Sequence, residues 1–586
     1  MNPFSPSGRL LLVIVTPLVG AVVAWLLGSR GTGAVRQSAA VTTVITLLGT
    51  GWLMLSYLAS PEAAAGEPYA VSEAAWLVDG PFNVRLSLGL DGLSLWLFGL
   101  SALLSLTAVM VSWQAIEEKP VGFYVLLLVL EAAMLGVFAA RDVILFYVFF
   151  EFTLVPLFFL IGIWGHDDRR HAAVKFFLYT LAGSVLAFLG LLTIVLWNAS
   201  HAGQLTFDIA ALTAGMAAHP LPMSAQGGWL QMWVFLALFA GFAVKVPIVP
   251  FHTWLPLAHV EAPTGASVDL AGVLLKIGIY GFLRFSLPML PDATAVAAPW
   301  IFGLGVVGIL YGALVALAQT DLKRLIAYSS VSHMGYCVMG LFALEPVAVE
   351  GATLQLINHG LSAAGLFALV GMIYERYHTR SIANLGGIAS RAPWLTVMFM
   401  VFTFSSIGLP GLNGFVGEFM VLLGSFQRAW SGVAPLWRTG YLTMAVAAVA
   451  GVVLGAWYML WAVERVFFGP SREPPRDHGH TANSHGTSDD TRSAHGHASQ
   501  HGHASEAAPP TDDLRWYEWV ALAPLAVFVF WIGLVPATFL RPSADAVRKA
   551  SGPSARAFAA RMQEIAHPTG AAATADSLTA RVPRQP

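Results

Sequence analysis

Three charged residues lie inside stretches otherwise apolar enough to cross a bilayer: Glu151 in DVILFYVFFEFTLVPLFFLIGIW, Lys245 in QMWVFLALFAGFAVKVPIVPFHTWLP and Lys276 in GASVDLAGVLLKIGIYGFL. A charge near the bilayer centre costs about 2.5–3.5 kcal/mol even on the lenient insertion scale, so such residues usually pair, face a wet cavity and carry ions or substrate. Lys245 is followed by Pro247 and Pro250, which lack the amide donors that the carbonyls of Ala243 and Val246 would otherwise receive. A charged side chain beside unwound backbone at membrane depth is the mark of an ion-handling site in transporters.

Further polar residues extend the set. Glu131 and Glu151 each stand ten residues from Arg141, which sits at the turn between their segments. At 1.5 Å per residue both reach about 15 Å into the membrane. Two acids at one depth share a proton or need a cation, and Lys245 is the natural cation. Glu131 alone also reads as a structural acid bonded to a neighbouring hydroxyl. Asp269 precedes Lys276 by seven residues on the same helix face, about 10 Å along the axis, a gap that water could bridge. His333 in AYSSVSHMGYCVMG and His359 in QLINHGLSAAGLF lie between Lys276 and Glu418. Histidine titrates near neutral pH, and a lysine joins a proton relay when desolvation lowers its pKa. The ordered set Glu151, Lys245, Lys276, His333, His359 and Glu418 reads as a proton wire along the membrane midplane, with Glu131 and Asp269 as accessory positions.

These residues need a membrane scaffold, and the composition supplies one. Of 586 residues, 56% are hydrophobic and 11% charged, where a soluble domain carries about a quarter charged. The fold class is all-α and polytopic. A net charge of −2 rules out a strong nucleic-acid footprint. The single cysteine, Cys337, excludes an internal disulfide framework and a Cys-rich iron–sulfur or zinc site. No polar stretch is long enough for a nucleotide-binding βαβ unit. A haem or copper oxidase core is disfavoured because no spanning segment holds a closely spaced histidine pair. No metal or cofactor is therefore expected in this chain.

Runs of about 20 apolar residues predict fourteen spans: 9–28, 36–58, 91–113, 120–139, 142–163, 174–198, 229–260, 265–287, 298–318, 323–344, 351–375, 393–427, 439–468 and 516–540. The first is a spanning helix and not a signal peptide, because its apolar run is long and lacks a clear cleavage site. The seventh and twelfth are too long for simple helices; Gly408, Pro410, Gly411, Asn413 and Gly414 interrupt the twelfth just before Glu418. The spacing of the two broken segments suggests two inverted five-helix repeats. The expected organisation is 1–115 for the first three spans and an outside loop, 116–290 and 295–470 for the repeats, 471–515 for a His-rich disordered loop, and 516–586 for the last span and a polar tail. With the N-terminus outside, the inside loops hold sixteen Lys and Arg against six outside, the expected bias. The tail opposes it, with seven basic residues placed outside. Within that tail, SARAFAARMQEIA puts Phe558, Met562 and Ile565 on one face of a possible short surface helix.

The segment 471–515 carries seven histidines but no apolar face with which to order itself. Deleting residues 475–510 is expected to leave assembly and turnover nearly intact, since the roughly ten residues left suffice to join antiparallel helices. A rate that is chelator-sensitive in the intact protein and insensitive in the deletion would assign the histidines a role instead.

Six stretches carry a family resemblance: LGLDGLSLWL (88–97), FYVFFEFTLVPLFFLIGIWG (146–165), KFFLYTLAGS (175–184), AVKVPIVPFHTWLPLAHVEAPTGASVDLAGVLLKIGIYGFLRF (243–285), DLKRLIAYSSVSHMG (321–335) and LPGLNGFVGEF (409–419). Over about 85–470 the chain resembles the subunit M (chain 4) family of respiratory NADH:quinone oxidoreductase, complex I. Most related antiporter-like subunits have lysine where Glu418 stands, while the subunit M type has glutamate. The resemblance implies a proton-translocating subunit of the bacterial inner membrane. Glu151 and Lys245 would be its ion pair, Lys276 and the two histidines its central relay, and Glu418 its outlet. NADH, FMN, iron–sulfur clusters and quinone would belong to partner subunits, with neighbouring antiporter-like subunits and the lipid bilayer in contact with this chain. A subunit of an Mrp-type sodium/proton antiporter or a membrane-bound hydrogenase is the alternative.

Overall fold

The protein is described by a computed structural model over residues 5–77, 84–224, 228–472 and 513–567. Most of the His-rich segment lies outside these residues. Among the described residues, eleven helices are long and apolar enough to cross a membrane by length and composition, and each falls on an expected span. At the other three expected spans lie shorter apolar helices, Leu95–Val111, Leu230–Lys245 and Pro393–Ser406, the last two within the broken segments.

In the first broken segment, the helix Leu230–Lys245 stops at Lys245 and helical structure resumes at Trp254–Glu261. The prolines free carbonyls, as expected, but Ala243 O finds a new donor, and so does the neighbouring Val244 O, whose usual helical donor Ile248 has shifted to Ala243. Ile248 N–H donates to Ala243 O at 2.9 Å and the Trp254 indole N–H to Val244 O at 2.9 Å. Such repair is needed because an unmet backbone group in a membrane interior costs several kcal/mol, on the order of a lost hydrogen bond in hydrocarbon. The second broken segment comprises Pro393–Ser406 and Asn413–Ser431. Its break turns through Gly408 (φ 73°) and Gly411 (φ 93°), left-handed conformations that favour glycine. The span at 143–164 is also interrupted, at Thr153, between Val143–Phe152 and Leu154–Trp164. Pro156 removes the donor for Phe152 O there.

Two helices form the centre of the bundle, Thr264–Met289 and Pro346–Tyr377, both entirely covered by their neighbours over their most apolar stretch. They approach closely: a Cβ on Gly360 would lie 2.9 Å from Gly272 O. Thr264–Met289 is not uniformly α-helical, since Leu270–Leu274 and Phe282–Ser286 are π-helical turns. Such turns often mark functional sites.

At one end of the bundle lies an antiparallel hairpin, Tyr69–Leu77 with Val84–Leu90, and just before it Gly66 O accepts from Lys549 of the C-terminal helix Ala537–Ala566 at 3.2 Å. This helix is 30 residues long, where a short surface helix was expected. Phe558 and Met562 are buried and Ile565 is partly buried, so the expected apolar face exists and packs on protein. Trp96 Nε1–H donates to Phe539 O at 2.9 Å and Ser554 Oγ–H to Leu287 O at 2.6 Å, tying it across the bundle. Pro542 and Pro553 lie within it without ending it.

At the opposite end, Arg376 makes two 2.7 Å bonds to the Glu518 carboxylate, with both side chains almost fully buried. Arg376→Ala is expected to lower stability by about 3–5 kcal/mol, the usual cost of stranding one member of a buried pair. A thermal-unfolding scan of the detergent-solubilised protein would measure this, and an unchanged midpoint would show that the pair contributes nothing. Lys323, counted above among the inside-loop charges, is buried at this same end. It donates to Ala262 O at 2.6 Å and Val260 O at 3.4 Å, completing the C-terminal end of the short half-helix.

Candidate functional site

The close crossing at Gly272 and Gly360 brings Lys276 against His359. Lys276 Nζ is 2.8 Å from His359 Nδ1 and also donates to Ala271 O, inside the first π-helical turn. An ammonium has donors only, so while Lys276 is charged, His359 Nδ1 accepts and its proton resides on Nε2. That nitrogen has no hydrogen-bond partner. It belongs to a side chain that lines a small internal cavity with His333, Ser329, Ser362 and Ser406. Space for water centres there is about 10 Å³, about what one water requires.

On the other side of this cavity His333 reaches Glu418. Its ring centroid is 5.7 Å from that of His359. Its Nδ1 lies 2.8 Å from Glu418 Oε1 and its Nε2 3.1 Å from Ser406 Oγ. Gln355 Nε2–H also donates to Glu418 Oε1, at 3.0 Å. Glu418 sits one turn into the second half of the second broken helix, only 4% exposed. Its Oε2 lies 3.3 Å from where a Cβ on Gly408 would stand, so the glycine at the break leaves room for the carboxyl. Lys276, His359, His333 and Glu418 thus form one contiguous buried series.

The other half of the expected wire is arranged differently. Lys245 is buried at the last residue of its half-helix, with Nζ over the Phe150 ring at 4.6 Å from the centroid. Glu151 follows Phe150 and is half-buried. The two charges are electrostatic neighbours, as expected of a pair, though not within salt-bridge distance of each other. The Tyr147 and Ser184 hydroxyls lie beside the Glu151 carboxyl, and its Oε1 has no hydrogen-bond partner. Attraction across a low-dielectric gap still couples the two.

The accessory acids are also redistributed. Glu131 and Asp269 are both fully buried, and none of their four carboxyl oxygens has a hydrogen-bond partner. Glu131 has Asp269 as its electrostatic neighbour, and not the Glu151–Lys245 pair expected from depth alone. Depth along two helices fixes height but not the side of the helix each acid faces. Between Asp269 and Lys276 lies the π-helical turn Leu270–Leu274. This turn carries one extra residue, which rotates all that follows about the helix axis.

Several residues at this site were not singled out from the sequence. Gln355 lies four residues before His359, a spacing that places both on one helix face. Ser406 lies at the break of the second broken helix, a position open to inspection. His259 is fully buried and stacked on Phe367 at 4.5 Å, with neither ring nitrogen bonded. Its electrostatic neighbours are Lys323 and Lys276, and a histidine inside a broken span was a usable signal.

Comparison with known proteins places this arrangement in a family. Residues 140–443 match the family model described as NADH:quinone oxidoreductase/Mrp antiporter, TM. The chain is 44% identical over 473 residues to NADH-quinone oxidoreductase subunit M of Rhodobacter capsulatus, covering 78% of this chain and 86% of that protein. Against subunit M of Pseudomonas aeruginosa it is 40% identical over 468 residues, covering 78% of this chain and 88% of that one. Its fold superposes on a chain of respiratory complex I from Thermus thermophilus with a TM-score of 0.75 and 30% identity, covering 94% of this chain and 99% of that one. A chain of the Mrp complex from Dietzia shares the fold, with a TM-score of 0.72 and 23% identity over 95% of this chain and 99% of that one. The chain belongs to the subunit M family of NADH-quinone oxidoreductase, within the wider NADH:quinone oxidoreductase/Mrp antiporter transmembrane family.

Proposed function

We propose that this chain is the proton-translocating subunit M of a bacterial inner-membrane NADH:quinone oxidoreductase, with its N-terminus on the outer side. The observation that carries the reading is the continuous buried series Lys276–His359–His333–Glu418. Glu151 and Lys245 are the charge-coupled pair that biases it, and the two broken helices set the ends of the wire.

The chemistry follows from donors and acceptors. Lys276 gives a proton to His359 Nδ1, and His359 releases the one on Nε2 towards the cavity. A water there carries it to His333, whose Nδ1–H then delivers to Glu418. Each pass leaves the ring proton on the receiving nitrogen, Nδ1 of His359 and Nε2 of His333, so both tautomers must exchange before the next proton is accepted; Gln355 and Ser406 hold the acceptors in place. Moving one proton against 100 mV costs about 2.3 kcal/mol. The chain's own residues offer acid–base chemistry alone, so redox steps in partner subunits, which hold NADH, FMN, iron–sulfur clusters and quinone, supply this energy.

The test is purification of the tagged chain from its native membrane. Co-purification with an NADH-oxidising, quinone-reducing assembly that acidifies one side of proteoliposomes is expected. Purification instead with small membrane subunits and sodium-dependent proton exchange would overturn the reading in favour of an antiporter.

A further inference from the structure

The relay begins deep in the bundle, and the question is how protons arrive there. At the end away from the hairpin lies an open cavity of about 540 Å³. Its lining includes the carboxyl-bearing Glu117, Glu118 and Glu375, together with His378, Thr264 and Gly371. The loop residues among them belong to the face expected inside by the positive-inside count. His166 also lines it, and burial, aided by the charges of Lys323 and Arg380, lowers its pKa to about 4. It therefore stays neutral and adds no positive charge to the mouth.

The floor of this vestibule is the start of the helix that carries Lys276. Thr264 is the first residue of that helix, and a Cβ on Gly371 would collide with its side chain. Asp269 follows five residues later, about 7.5 Å deeper along the axis, and Lys276 about 10 Å beyond that. Asp269 and Glu131 are the two buried acids whose oxygens all lack partners. Two buried carboxylates without a cation or donor cannot both stay ionised, and nothing in the packing satisfies them as structural groups. A buried polar group left unmet costs about 1–3 kcal/mol, which points to a retained role.

We infer that the vestibule is the inlet for protons and that Glu131 and Asp269 together hold the proton that reloads Lys276. This deepens the proposed function and rests on it. The carboxylate of either acid accepts a proton from vestibule water, and water bridging the gap of about 10 Å relays it to Lys276 after that amine has donated to His359. The pair acts as one store, since either acid alone still presents a carboxyl at the right depth.

The test uses the assembled complex in vesicles of known sidedness. Ala115→Cys adds a thiol on the exposed, vestibule-lining loop, while native Cys337 is buried. An impermeant, bulky thiol reagent applied to the vestibule face is expected to slow pumping about tenfold, about 1.4 kcal/mol in barrier, relative to the same sample before labelling. Applied to the other face it is expected to do nothing. Glu131→Gln and Asp269→Asn singly are expected to pump faster than the double variant, which loses about tenfold. Unchanged pumping after labelling, or in an assembled double variant, would overturn the inlet. Should the double variant fail to assemble, the labelling result decides. Glu151→Gln serves as the control: if it is defective while labelling and the double variant are harmless, the inlet alone falls and the relay stands.

Discussion

Replacing Lys245 with alanine is expected to abolish most proton pumping while leaving the chain inserted and the complex assembled. Lys245 ends a half-helix, with its amine held over Phe150 and coupled through space to Glu151. Alanine keeps the helix and the break, because Pro247, Pro250 and the Ile248 and Trp254 bonds that repair the backbone do not involve the side chain. It removes the one group there that exchanges a proton. Lys245→Arg is expected to rescue poorly, because a guanidinium does not deprotonate in proteins. Proton uptake by vesicles during NADH oxidation measures this. Near wild-type pumping by an assembled Lys245→Ala complex would sink the wire as drawn.

Glu151→Gln is expected to be nearly as damaging as removal of the side chain, and Glu151→Asp to retain part of the activity. Glutamine keeps the shape and the contact with the Tyr147 and Ser184 hydroxyls but has no charge with which to bias Lys245. Since the two do not touch, the effect acts through the field and not through a broken contact. A charge 4 Å or more away, in surroundings of effective dielectric about 20, is worth up to about 4 kcal/mol, enough to change a transfer rate by orders of magnitude. Glu131 is poorly placed to substitute, because its neighbour is Asp269. Normal pumping by the Glu151→Gln complex would reduce the acid to a structural role.

Much of this protein was legible in order along the chain. Apolar runs located the spans because burying the backbone of a membrane segment demands a helix of fixed length. Pro247, Pro250, Gly408 and Gly411 marked the breaks because their effects on donors and on φ are local. Glu151, Lys245, Lys276 and Glu418 stood out because a charge in an apolar run is too costly to keep without use.

What the chain's order does not contain is rotation about each helix axis and the distance between neighbours. Glu131 and Glu151 share a depth, yet Glu131 has Asp269 as its neighbour. Asp269 and Lys276 share an α-helical face on paper, and one π-helical turn separates them. The short surface helix expected in the tail is a long strap across the bundle, because its apolar face found a protein surface to cover. Lys276 meets His359 only because Gly272 and Gly360 let two central helices approach. Sequence determined which residues were too costly to bury idly; tertiary structure decided which of them could pass a proton, because transfer depends on contacts of about 3 Å that side-chain direction and helix crossing set.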